Sequence, residues 1–127
     1  MTEVLLSIQK NQRQFNASLI QAPNTSKQHT HGSVGDRTKT EAVNKAYRMA
    51  HQKRLSISHV FDEDEMRSLP VHQYKIGDSV MSSAPKAPNC EGVIDSFEGW
   101  NVDGVPQYWM VGGGRQLVLE NEIKVIK

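Results

Sequence analysis

YWMVGGGRQLVLENEIKVI, residues 108 to 126, reads as an alternating apolar run, three glycines, a second run, a short polar break and a third run. Glycines between apolar runs invite two readings, a phosphate-cradling loop or a tight hairpin. The segment VGGGR lacks both the Lys-Ser/Thr pair of a P-loop and a helix after it. The glycines therefore serve a hairpin in which the backbone takes positive φ. The polar ENE at 120 to 122 becomes one acidic turn before a closing strand.

Working backward, period-two patterning bounded by turn residues begins at Tyr74. Strands are expected at about 74 to 83, 90 to 98, 106 to 111, 115 to 119 and 123 to 126. APKAPN and GWNVDG punctuate the first two connections. Five short strands are too few for a sandwich, and closure into a small barrel would remove their exposed edges.

The segments YKIGDSVM, EGVIDSF, YWMV and RQLVLENEIKVI resemble the Src-homology-3-like small barrels, a group that includes KOW and Tudor modules and the type II, plasmid-borne dihydrofolate reductases. The resemblance covers residues 74 to 126 and implies a fold; function has to be argued from the site. In the reductases a V-Q-I-Y segment lines a pore built from four barrels. Here Gln116, Leu117 and Val118 fall where its Gln, Ile and Tyr would be, with Val118 in place of the tyrosine and Arg115 in place of the valine. The resemblance thus implies, as one alternative, a diverged reductase-like oligomeric enzyme that lacks the stacking aromatic.

The N-terminal half reads as helical. Val4, Leu5, Ile8, Phe15 and Leu19 recur at helical spacings and predict a helix over 2 to 21. Its thin apolar stripe calls for a partner surface, either the barrel or another copy, so a homo-oligomer through this helix is one expectation. APNTSKQHTHGSVGDR, residues 22 to 37, has linker composition and predicts a flexible segment. Thr38 with Glu41 forms a capping box that opens a second helix with Ala42, Val43, Ala46, Tyr47, Met49 and Ala50 on one face. In FDEDEMRSLP, Asp62 is placed to cap a third, short helix that Pro70 stops. Its acids are expected to compensate Lys53 and Arg54 at the surface. The expected fold class is α+β: an N-terminal helical arm over 1 to 72, then a five-stranded Src-homology-3-like β-barrel over 73 to 127.

Only 37% of the 127 residues are hydrophobic and 6% aromatic, which leaves room for one modest core and extensions. Cys90 is the single cysteine, which excludes an internal disulfide and a thiolate-held metal cluster. No run reaches membrane-spanning length, and the N-terminus lacks the pattern of a signal peptide, so a cytoplasmic, non-membrane protein is expected. Residues 1 to 72 carry ten Lys and Arg against seven Asp and Glu, whereas 73 to 127 carry five against seven.

The candidate chemistry follows from these patterns. His29 and His31 form an H-x-H pair with no further ligands at usable spacing. Cys90 has no base beside it and reads as a core residue. No catalytic residue, metal site or cofactor is expected, and no enzyme. Arg37, Lys45, Arg48, Lys53 and Arg54 lie on or beside the second helix and would carry phosphate contacts if the chain were a nucleic-acid-associated, KOW-like module. The favoured expectation is a binding or adaptor protein that engages a protein partner through Trp100, Tyr108, Trp109 and Gln116. A short chain without a catalytic signature also suggests a phage or mobile-element origin.

Overall fold

The N-terminal residues form a β-hairpin where a helix was expected. The computed structural model describes residues 2–83, 90–112 and 114–125. β1 (Thr2–Asn11) and β2 (Gln14–Gln21) pair antiparallel around a two-residue turn, with Leu6 opposite Leu19 and Ile8 opposite Ala17. The doublets Leu5-Leu6 and Leu19-Ile20 satisfy helical and strand periods alike, which is why spacing alone misreads them. At the turn Gln12 has φ 52°, a conformation that glycine or asparagine normally announces, so the hairpin signal is muted. A homo-oligomer through an N-terminal helix falls with that helix.

β3 (His29–Asp36) continues the sheet by pairing with β2, in place of a flexible segment over 22 to 37. Its linker-like composition has a packing cause. A Cβ on Gly32 would lie 2.7 Å from Met49 Sδ, and one on Gly35 2.7 Å from Asn16 Oδ1. Small residues here admit the neighbours, and Lys53 Nζ donates to the His31 carbonyl at 2.7 Å. The preceding loop is tied by Thr25 Oγ1 donating to Ala22 O and by Asn24 N donating to Gln28 Oε1.

α1 (Lys39–Gln52) is the helix that the capping box marks: Thr38 Oγ1 accepts from Glu41 N at 3.1 Å. Ala42, Ala46 and Ala50, at successive turns, are buried with Val43, and such small side chains let the helix lie close on a sheet face. It packs on β1, β2, β3 and the next strand, β4 (Leu55–Asp62). β4 runs parallel to β1, as the helical crossover allows, and β5 (Arg67–Leu69) returns antiparallel to it. The sheet order is β3-β2-β1-β4-β5. The short helix expected after Asp62 is absent: its carboxylate accepts from Asp64 N and Glu65 N as a cap would, but the chain turns back into β5.

The chain divides into two units, Met1–Val71 and His72–Lys127. The second is a five-stranded sheet of order β10-β6-β7-β8-β9, built from β6 (Ser79–Ser82), β7 (Cys90–Trp100), β8 (Pro106–Val111), β9 (Arg115–Leu119) and β10 (Ile123–Val125). Every pair in it is antiparallel. Residue 126, expected in the last strand, lies outside the described residues. The expected first strand starts only at Ser79, because Lys75–Asp78 forms a turn in which Lys75 N donates to Asp78 Oδ2 and Gly77 takes φ 98°.

No closed barrel forms. β9 and β10 lie at opposite edges of the order, and among the described residues they do not pair with each other. A 3-10 turn, Glu120–Glu122, carries the chain between them. Side chains hold this turn and the start of β10: Tyr108 Oη donates to Glu120 Oε1 at 2.6 Å, and Tyr74 Oη to Ile123 O at 3.1 Å. The class is therefore two mostly β units with one central α-helix, and the expected helical arm and barrel are both corrected.

The glycine run works by close approach as well as by turn geometry. Gly114 has φ 137°, as a hairpin needs. A Cβ on Gly112, however, would press into the Glu91 carbonyl and lie 2.7 Å from Gly92 Cα. Gly112→Ala is expected to destabilise the C-terminal unit by about 2 kcal/mol, since the obstacle is backbone and cannot rotate away. Thermal unfolding of the variant checks this, and an unchanged midpoint would refute it.

Candidate interaction surface

In the C-terminal unit, β8 alternates cleanly. Pro106, Tyr108 and Met110 are buried, while Gln107, Trp109 and Val111 face the other way. Across the ladder Val111 lies opposite Val93 on β7, and Trp109 opposite Leu117 on β9. Val93, Val111 and Leu117 are 43%, 45% and 44% exposed. With Trp109 they make a continuous apolar patch on the outer sheet face, because cross-strand pairs and i, i+2 neighbours share one side.

Trp109 is half-buried and held at several points. Its Nε1 donates to Glu98 Oε2 at 2.6 Å, and the Arg115 guanidinium lies 4.3 Å from the ring centroid. Arg115 in turn reaches Asp95 Oδ2 at 3.5 Å and Ser96 Oγ at 3.4 Å. The indole is thus fixed in orientation before any partner arrives, which lowers the entropy lost on binding. Asp95 and Glu91 are exposed nearby on β7, so an apolar patch borders carboxylates.

The other expected contact residues lie elsewhere. Tyr108 is fully buried and cannot present an outer surface; burial and then the neighbouring Glu120 push its hydroxyl well above the usual tyrosine range. Trp100 is half-buried with its ring 4.9 Å from that of His72, in an aromatic cluster with Phe97 and Tyr108. Gln116 stands opposite Met110, its Nε2 3.9 Å from Cys90 Sγ and its Oε1 buried without a hydrogen-bond partner among the described residues. Val118 is buried too. Of the residues compared with a reductase pore, Gln116 and Val118 thus point into the unit's own core, while Arg115 and Leu117 face outward. The sequence did not mark Val93, Val111 and Leu117 as contact residues, although strict alternation outward from Trp109 leads to Val111, while Leu117 follows only from the register between β8 and β9.

The cations of α1 are partly engaged. Lys45 Nζ pairs with Asp36 Oδ2 at 2.8 Å and donates to Gly35 O, while Lys53 holds His31 O. The Lys45 hydrogen bond, then that of Arg37 N, holds the Asp36 carboxyl below its ordinary value. Arg37, Arg48 and Arg54 are exposed. The acidic turn compensates Lys39 and Arg67, with Lys39 Nζ 2.7 Å from Asp62 and Arg67 Nε 3.3 Å from Glu65.

Among the described residues no three His, Cys, Asp or Glu side chains are grouped to hold a metal. His29 and His31 stack edge to face at 4.6 Å, and His31 Nε2 meets Gln21 Oε1 at 2.7 Å. Ser58 Oγ lies 3.0 Å from His59 Nδ1, but these are adjacent residues and the hydroxyl also reaches Val4 O. No described helix is long and apolar enough to cross a membrane. Comparison with protein-family models, curated proteins and solved structures gave no match.

Proposed function

We propose that the protein is a non-enzymatic binding protein whose C-terminal sheet engages a protein partner through the outer face of β7, β8 and β9. The observation that carries this is the exposed row Val93, Val111 and Leu117 around an oriented Trp109. Apolar side chains grouped at a sheet surface and rimmed by polar groups mark interaction sites, and an aromatic among them is the usual anchor. The bordering Asp95, Glu98 and Glu91 favour a segment with apolar residues flanked by Lys or Arg.

Val111→Lys tests this reading without touching the core, because Val111 is exposed. A partner retained by the wild-type chain should be weakened about tenfold or more by the substitution, the loss expected at the centre of a binding patch. Binding is measured by titration against that partner, with far-ultraviolet circular dichroism to show that the fold persists. Equal affinity for both proteins would remove the proposal.

A further inference from the structure

Among the described residues the two sheets leave four edge strands, and three of them are blunted. On β3 the carbonyls of His31 and Gly35 are taken by Lys53 and Lys45. β5 has three residues, and β10 three among those described. Short or lysine-covered edges are how sheets avoid pairing with other chains. β9 is neither short nor lysine-covered: it runs five residues, carries its only charge at Arg115 and exposes Leu117 at its middle, with a side chain, that of Glu122, holding Leu119 N at the strand's end at 2.9 Å.

We propose that β9 pairs antiparallel with β9 of a second copy about a twofold axis centred on Leu117, joining the two C-terminal sheets edge to edge. An isologous contact requires a self-complementary surface, and the pattern of this strand supplies one. Leu117 meets its own copy, Gln116 meets the partner's Val118, and Arg115 meets the partner's Leu119. No like charges stand opposite each other. Each arginine instead comes beside the end that leads into Glu120 and Glu122, so cation and acids complement each other at both ends. Parallel pairing would set the two arginines side by side, which is destabilising.

This pairing goes beyond the proposed partner face but shares Leu117 with it, so Val111→Lys separates the two: it should weaken partner binding and leave the dimer mass unchanged. Sedimentation equilibrium of the full chain, from micromolar to sub-millimolar concentration, should give twice 14.3 kDa. Leu117→Lys should return the mass to 14.3 kDa with circular dichroism unchanged. In a Cys90→Ser background, Leu117→Cys should form a disulfide-linked dimer under mild oxidation, because residues opposite across an antiparallel pair lie within bonding reach. Val102→Cys, at a position 89% exposed, serves as the control that should not. A monomer throughout, a dimer indifferent to Leu117→Lys, or failure of Leu117→Cys to cross-link would each overturn the proposal.

Discussion

Asp62→Ala is expected to destabilise the N-terminal unit by about 3 kcal/mol, the low end of what breaking a buried ion pair costs. The Asp62 side chain is fully buried, whereas that of Lys39 is 25% exposed, so the lysine left behind can recover some hydration. Most of the loss comes from groups that Asp62 satisfies at once. One oxygen accepts from Lys39 Nζ at 2.7 Å, and the other from Asp64 N and Glu65 N at 3.0 and 3.2 Å. These bonds tie the start of α1 to the turn between β4 and β5. Asp62→Asn keeps an acceptor for the backbone but loses the charge, and should fall between wild type and alanine. Urea unfolding measures both, and a loss below about 1 kcal/mol for alanine would show that the turn stands without its carboxylate.

The same pair has an alkaline limit. Burial pulls the Lys39 pKa down, but the hydrogen bond and charge of Asp62, with Glu65 and Asp64, more than reverse this and raise it above 10.5. A raised lysine pKa stabilises fully below its unfolded value and loses that contribution as pH rises through the folded one.

Acidification from neutral pH should destabilise the C-terminal unit by about 3 kcal/mol through His72 alone. Burial lowers its pKa from 6.5 to about 4, against opposing hydrogen bonds to Gly99 and Gln107. Its Nε2 lies 2.8 Å from Gly99 O, and its ring contacts Phe97, Trp100 and Tyr108 at 4.9, 4.9 and 5.2 Å. Because the folded pKa lies below the unfolded one, the unfolded chain binds the proton first. The contribution is therefore whole above 6.5 and is lost as pH falls toward about 4. His72→Phe removes the titrating group and keeps an aromatic ring in the cluster. The difference in unfolding free energy between wild type and variant should change by about 3 kcal/mol across that window. A difference that stays flat with pH would mean that His72 charges freely in the fold.

Of the candidate surface, the sequence made Trp109 legible because it stands in an alternating run beside a glycine turn. It did not separate Trp109 from Tyr108, since alternation tells that neighbours face opposite ways without telling which face is inner. Tyr108 is inner because Glu120 and Tyr74 satisfy its hydroxyl in the core. Trp109 is outer because Glu98 and Arg115 meet it at the surface.

Local chemistry was enough to determine the α1 cap, the glycine hairpin between β8 and β9, and the acidic turn before β10. In each, residues within a few positions of one another satisfy the backbone, so the information lies in short words of sequence. Tertiary structure decided the rest. Residues 2 to 11 and 14 to 21 became strands because β4 runs beside β1 in parallel pairing, with Leu6 opposite Val60 and Ile8 opposite Asp62. Residues 29 to 36 became a strand because α1 and its C-cap supply Lys45 and Lys53 to their carbonyls and Met49 to their glycines. The C-terminal sheet stayed open in the order β10-β6-β7-β8-β9, with β10 taking Val80, Met81 and Ser82 of β6 as its partners and not β9. Each of these outcomes depends on partners brought from ten or more residues away, and periodicity within one segment carries no record of them.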